Sequence, residues 1–211
     1  NTVYAQLTKF AVKMGVPKEI ENMFRGGIVN PTENRAALHV ALRSSKSADP
    51  WIPKDLVSDV QNVLSKIENF VDGIVNGRLR SSVGVSITDI LMIGVGGSNL
   101  GPKLVCKALR ETKSTHLRVK FLDHLDGREF DKLKNLLKPE STFCVIASKS
   151  FTTSETLQNA AIVEKWMNSS LKDNKLTKSQ FIAITADEGK ALSYGIPKGN
   201  IFRIWDWVGG G

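Results

Sequence analysis

The chain has 211 residues, 41% of them hydrophobic, which suffices to bury the core of one α/β domain with an appendage. No run approaches the roughly 18 to 20 consecutive apolar residues of a membrane span. The net charge of +8 is spread along the chain and not interleaved with aromatic residues, so it reads as a basic solvated surface or an attraction for phosphates, and nucleic acid is not an expected partner.

Asn1 is not an initiator methionine and no signal-peptide pattern follows, which leads us to expect a piece of a longer protein. Residues 1–80 are expected to form an N-terminal helical segment that packs on the core. Val3, Leu7, Phe10, Ala11 and Met14 share one helical face, Gly15 closes that helix, and Pro17 opens a second one ending near Gly26-Gly27. Asn30-Pro31-Thr32-Glu33 forms a turn, and Asn34 to Arg43 is a further helical candidate, with His39 as a packing residue. The longest predicted helix runs from about Pro53 to Gly77, where Leu56, Val60, Val63, Leu64, Ile67, Phe70, Val71 and Ile74 keep the helical period.

From Thr88 the texture changes. Strand-like runs at Ile90–Val95, Val119–Asp123, Thr142–Ala147, Phe181–Thr185 and Ile201–Trp205 alternate with helical runs at Leu100–Lys113, Gly127–Leu137, Thr153–Leu171 and Glu188–Tyr194. This alternation predicts a second domain over residues 81–211, an α/β doubly wound five-stranded parallel sheet flanked by helices, of flavodoxin-like order 2-1-3-4-5. The lysine-rich stretch Lys172–Lys178 reads as a solvated loop. Cys106 and Cys144 lack C-x-x-C spacing and are expected to be buried and reduced. The scattered His39, His116 and His124 give no metal signal.

Two loops carry the chemistry. Leu91-Met92-Ile93-Gly94-Val95-Gly96-Gly97-Ser98 is a strand running into a glycine turn and then a helix, the layout of an anion site, because helix N-termini offer free N–H groups and a positive dipole end. Ser98 is also a candidate helix cap. Phe143–Ala147 leads into Ser148-Lys149-Ser150-Phe151-Thr152-Thr153, where four hydroxyls and one lysine lie within six residues, a set suited to a phosphate dianion. Thr152 to Glu155 further reads as a capping box. In a 2-1-3-4-5 sheet both loops face one crevice at the C-terminal strand ends. The dinucleotide fingerprint fails at Asn99, where a third glycine is needed, and the Walker A pattern fails at Pro102 and Lys103, so a nucleotide is not favoured. The chain shows no nucleophile elbow and no zinc-protease motif.

These residues resemble the glucose-6-phosphate isomerase (phosphoglucose isomerase) family. The similar segments, in order, are Thr32-Glu33-Asn34-Arg35-Ala36-Ala37-Leu38-His39-Val40-Ala41-Leu42-Arg43, Ile93 to Pro102, Ala147 to Thr156, and Trp205-Asp206-Trp207-Val208-Gly209-Gly210. The resemblance implies a sugar-isomerase (SIS-type) fold, with Gly97 and Ser98 near the sugar and Ser148, Lys149, Ser150, Thr152 and Thr153 around the phosphate. It implies interconversion of glucose 6-phosphate and fructose 6-phosphate through an enediol, without metal or cofactor, in cytoplasmic glycolysis and gluconeogenesis, by a homodimer. Ser150 stands where the family usually has threonine, and Asn99 where it often has aspartate. The family's arginine, glutamate base, histidine and late lysine all fall after Gly210 in its order, so no catalytic residue is assigned within this chain, and the chain alone is expected to be inactive. The alternative expectation is a non-catalytic sugar-phosphate-binding regulatory module.

Overall fold

A computed structural model describes residues 2–44, 51–109 and 116–209. The chain divides into two compact units, Asn1–Leu64 with Trp205–Gly209, and Ser65–Ile204.

The first unit opens with helices α1 (Thr2–Lys13) and α2 (Val16–Phe24). Gly15, at φ 77°, makes the left-handed turn between them, and Pro17 sits in the first turn of α2, where its missing N–H costs nothing. The predicted apolar face of α1 exists but is exposed, with Val3, Leu7 and Phe10 all open to solvent. Strands β1 (Ile28–Asn30) and β2 (Arg35–Ala36) pair antiparallel. In the turn between them the Asn30 side-chain carbonyl accepts from the Thr32 hydroxyl and the Glu33 N–H.

The helix expected over Asn34–Arg43 is therefore corrected. Asn34 takes a left-handed φ of 53°, Arg35 and Ala36 are drawn into the hairpin, and only His39–Arg43 winds, as a 3₁₀ turn. His39 is likewise exposed and not a packing residue. A small core of Ala41, Ile52 and Val57, joined by Val40 and Trp207, sits beneath this turn. Helix α3 (Lys54–Val75) follows the predicted long helix, and the boundary between the units falls within it.

The second unit contains β3 (Asp89–Ile93), α4 (Gly97–Ala108), β4 (Arg118–Leu122), α5 (Gly127–Lys134), β5 (Thr142–Ala147), α6 (Ser154–Leu171), α7 (Asn174–Ser179), β6 (Phe181–Thr185), α8 (Glu188–Ser193) and β7 (Ile201–Arg203). The five strands are parallel in the order β4-β3-β5-β6-β7, the expected 2-1-3-4-5. All six residues of the central strand β5 are buried, as a strand covered by helices on both faces requires. One face packs Leu91, Ile93, Cys144 and Ile146 with Phe130, Val163, Met167 and Ala191. The other packs Met92, Phe143, Val145 and Phe202 with Phe70 and Ile74 of α3.

Two further expectations change here. The Lys172–Lys178 stretch is not a loop throughout, because the Asp173 carboxylate accepts from the Lys175 and Leu176 N–H groups and starts α7. Cys106 is exposed and not buried, because α4 buries only Asn99 and presents residues 101–109 to solvent. Both cysteines are free thiols, and burial pushes the Cys144 thiol far above its ordinary pKa. The predicted helical extension from 110 to Lys113 lies outside the described residues, as does Gly210 of the last quoted segment.

Candidate phosphate-binding site

β3 and β5 are neighbours, with Ile93 opposite Ile146, so the loops that follow them leave the sheet side by side. The approach is close enough to constrain sequence. A Cβ at Gly94 would stand 3.2 Å from the Ala147 carbonyl oxygen and 3.4 Å from the Ser98 Cβ. Gly96, at φ 54° and ψ −129°, occupies a conformation closed to other residues and turns the chain directly into α4.

That turn shifts one assignment. The helix begins at Gly97 with Gly96 as its flanking residue, so Ser98 lies inside the first turn and does not cap it. Its N–H donates to the Val95 carbonyl at 3.2 Å and its side chain is half-buried beside Gly94 and Ala147. Gly97 is exposed, at the end of the helix where N–H groups lack intrahelical acceptors.

The second loop is fixed by its backbone. The Ser148 N–H donates to Ile184 O at 3.1 Å, and Lys149 O accepts from the Ala186 N–H and the Thr185 hydroxyl. The Phe151 N–H closes the turn onto Ser148 O at 3.2 Å. Its hydroxyls form two couples, Ser148 Oγ with Thr153 Oγ1 at 3.0 Å and Ser150 Oγ with Thr152 Oγ1 at 2.7 Å. Each couple holds two protons and spends one on its internal bond, which leaves one for an outside oxygen. Ser148 is buried, Lys149 and Thr153 are half-buried, and Ser150 and Thr152 are exposed.

The capping box expected at Thr152–Glu155 is not formed. Thr153 is the capping residue of α6, but its hydroxyl is committed to Ser148 and makes no cap hydrogen bond. The first N–H groups of α6 are thereby left to an external acceptor. The structure thus gathers Ser148, Lys149, Ser150, Thr152 and Thr153 in one loop, with Gly97 and Ser98 on the adjacent one.

One cation at this loop was missed in the sequence. The Lys190 ammonium donates to Ser150 O at 3.3 Å and pairs with Asp187 at 2.8 Å. A hydrogen bond from Lys190 holds the Asp187 carboxyl below its ordinary pKa. The available signal was the Asp187-to-Lys190 spacing of a helix start, which says nothing of the tertiary neighbour. The Asn99 amide and the Thr156 hydroxyl, each in the first turn of the helix that follows its loop, are buried without a hydrogen-bond partner among the described residues. Among the described residues, no group of three or more His, Cys, Asp or Glu is placed to hold a metal ion, and no helix is long and apolar enough to cross a membrane.

The family model for phosphoglucose isomerase matches residues 1–211. Glucose-6-phosphate isomerase of Methylococcus capsulatus is 39% identical over 207 residues, which cover 98% of this chain and 38% of that protein. The enzyme of the same name from Buchnera aphidicola subsp. Schizaphis graminum is 38% identical over 205 residues, covering 97% of this chain and 37% of the relative. The chain therefore spans a little over a third of the length of these relatives. Among solved structures, a glucose-6-phosphate isomerase from Chlamydia trachomatis superposes with a TM-score of 0.72 at 24% identity, covering 96% of this chain and 38% of that one, a likeness of fold. A hypothetical protein from Thermus thermophilus gives a TM-score of 0.56 at 25% identity over 81% of this chain and 39% of its own. By the match along its whole length and the identity to these relatives, the chain belongs to the phosphoglucose isomerase family.

Proposed function

We propose that these residues grip the phosphate of a hexose 6-phosphate, and that the intact protein interconverts glucose 6-phosphate and fructose 6-phosphate. The observation that carries this reading is the meeting of two loops at the ends of β3 and β5, one with a helix N-terminus, the other with two hydroxyl couples and a second helix N-terminus. A phosphate dianion accepts hydrogen bonds only, and this site offers donors in the spare proton of each couple and the first N–H groups of α6, with the positive charge of Lys149 in the same loop. Gly97 and Ser98, on the neighbouring loop, face the sugar carbons.

In this reading, residues 81–211 are the sugar-isomerase domain and residues 1–80 a helical segment that precedes it in the chain. The isomerisation moves a proton between C1 and C2 through an enediol, and the loop's task is to fix the distant phosphate so that those carbons meet a base in register. The base and the groups that open the sugar ring come from parts of the intact relatives that these residues do not match. The 211-residue chain by itself then binds sugar phosphate without turning it over. The intact enzyme works as a cytoplasmic homodimer in glycolysis and gluconeogenesis.

The test is a calorimetric titration of the chain with fructose 6-phosphate, with fructose as control and a coupled isomerase assay alongside. Saturable binding that requires the phosphate, without turnover, is the expected result. Equal binding of fructose would remove the phosphate reading, and turnover would remove the assignment of the base elsewhere.

A further inference from the structure

We propose that Phe151 is a positioning residue of the candidate phosphate loop, seated on Tyr194, and that the Glu164–Lys178 ion pair holds Tyr194 in place for it. The inference rests on the phosphate reading of that loop. Phe151 stands in the middle of the loop, between the Ser148-Lys149-Ser150 and Thr152-Thr153 donors. Its backbone takes a φ of 50°, a region that residues with a bulky side chain rarely enter. Such a conformation persists only where the surroundings over-determine it. Here the surroundings are visible. The Phe151 ring is only 3% exposed and lies in the main core. It meets the Tyr194 ring edge-on, with centroids 5.9 Å apart at 74°.

Tyr194 is fixed in turn. Its hydroxyl donates to the Glu164 carboxylate at 2.9 Å, and the Lys178 ammonium donates to the same oxygen at 2.7 Å. The Lys178 nitrogen also lies 3.4 Å from the centre of the Tyr194 ring, a cation over an aromatic face. The ion pair is sheltered, with side chains 13% and 19% exposed, and Tyr194 is held firmly protonated by burial and by its bond to Glu164. The lysine stem runs alongside Gly195, where a Cβ would stand 3.4 Å from its Cγ. Three helices, α6 through Glu164, α7 through Lys178 and the end of α8 through Tyr194, thus converge on the ring beneath the loop.

The ring acts as a peg. With it seated, the left-handed residue folds the chain back so that Ser150 and Thr152, its two neighbours, can pair their hydroxyls. The loop is then preorganised for its ligand, which needs no ordering of these residues on binding.

The test uses the whole chain and the variants Phe151→Leu and Tyr194→Phe, read by two measurements. The first is hydrogen exchange of the residue 151 amide, which donates to Ser148 O, and of the Ala186 amide, which donates to Lys149 O, against Cys144 in β5 as the fold control. In Phe151→Leu the two loop amides exchange at least tenfold faster while Cys144 is unchanged. Tyr194→Phe, which keeps the ring and loses its anchor, gives a smaller acceleration in the same places, and it decides the matter if the leucine variant does not fold. The second measurement is fructose 6-phosphate affinity, expected to fall about tenfold in Phe151→Leu and to be restored in Phe151→Tyr. Loop amides that exchange as in the unmodified chain, or an unchanged affinity, overturn the proposal. If the unmodified chain binds no fructose 6-phosphate, the phosphate reading fails, while the exchange measurement still judges the peg.

Discussion

The Nε2 atom of His39 accepts a hydrogen bond from the Gly209 N–H at 2.7 Å. A backbone N–H can only donate, so Nε2 carries no proton and the ring proton sits on Nδ1. The bond joins two segments that are 170 residues apart. Two further hydrogen bonds hold the stretch Trp205–Gly209. The Leu38 N–H donates to Trp207 O at 3.3 Å, and the Trp205 indole donates to Asp59 at 2.6 Å. The rings of Trp205 and Trp207 stack at 5.0 Å. His39 is thus the outermost clasp on a pair of stacked indoles.

The expected effect of His39→Ala is faster hydrogen exchange at the Gly209 amide and a stability loss of about 0.5 to 1.5 kcal/mol, the usual net value of one such bond. His39→Gln, whose carbonyl can take over as acceptor, retains most of the protection. Equal exchange in the alanine variant and the unmodified chain would show that the bond protects nothing.

The same histidine marks where sequence reading reaches its limit. Ala37-Leu38-His39-Val40-Ala41-Leu42 looks like a helical apolar run, but the residues just before it pair with β1 in a local hairpin, and the Leu38 N–H finds its acceptor in Trp207, far away in sequence. Hairpin pairing at Arg35–Ala36 then competes with helix and wins. By contrast, β5 and β6 were legible to the residue, because central parallel strands are apolar without alternation and so carry their own boundaries. The crowding of hydroxyls after β5 was also legible, since those residues are contiguous in the chain. What local reading could not supply was Lys178. A lysine-rich stretch reads as solvated, and only the tertiary fold brings Glu164 and the Tyr194 ring to bury that one amine. The lost capping box has a similar cause, for Thr153 had a better use for its hydroxyl at Ser148.

The two thiols differ enough to count separately. Cys106 lies on the open side of α4, whereas Cys144 is fully buried in β5, with its sulfur 3.4 Å from that of Met167 and its thiol pushed up by burial. A thiolate-specific reagent is expected to titrate one thiol in the folded chain and two in denaturant. Two fast thiols in the folded chain would mean that β5 opens readily, against its central place in the sheet.

The hydroxyl couples predict a graded response to substitution. Ser148→Ala removes a buried hydroxyl and leaves Thr153 without its partner, so it should weaken both fold and ligand binding. Thr153→Val keeps the shape but loses the donor and leaves the buried Ser148 hydroxyl without its partner, so it too should weaken binding at some cost in stability. Each lost bond to a charged phosphate is worth on the order of 1.5 to 3 kcal/mol, a reduction of roughly tenfold or more in fructose 6-phosphate affinity. Unchanged affinity in both variants, read by calorimetry, would reduce this loop to an ordinary helix start.

The Asp123 carboxylate predicts the acid limit of the fold. It lies just beyond the end of β4, is 10% exposed, and is paired with the Lys103 ammonium at 2.6 Å. Burial pushes its pKa up, but the hydrogen bond and charge of Lys103 pull harder, and the result lies below the ordinary value. Glu140 is lowered as well, chiefly by the Ser170 hydroxyl. A carboxyl that binds protons less readily when folded contributes stability in full above its unfolded pKa, about 4, and loses it as the pH falls through the lower folded pKa. The contribution of these two carboxyls should therefore be complete from neutral pH down to about 5 and be lost steeply below about 4. Asp123→Asn keeps the shape and removes the titration, so its stability curve should be flatter in acid and lower at neutral pH. Denaturant melts at a series of pH values give both curves, and an acid limb that is the same in the two proteins would mean that the Lys103 pair does not set it.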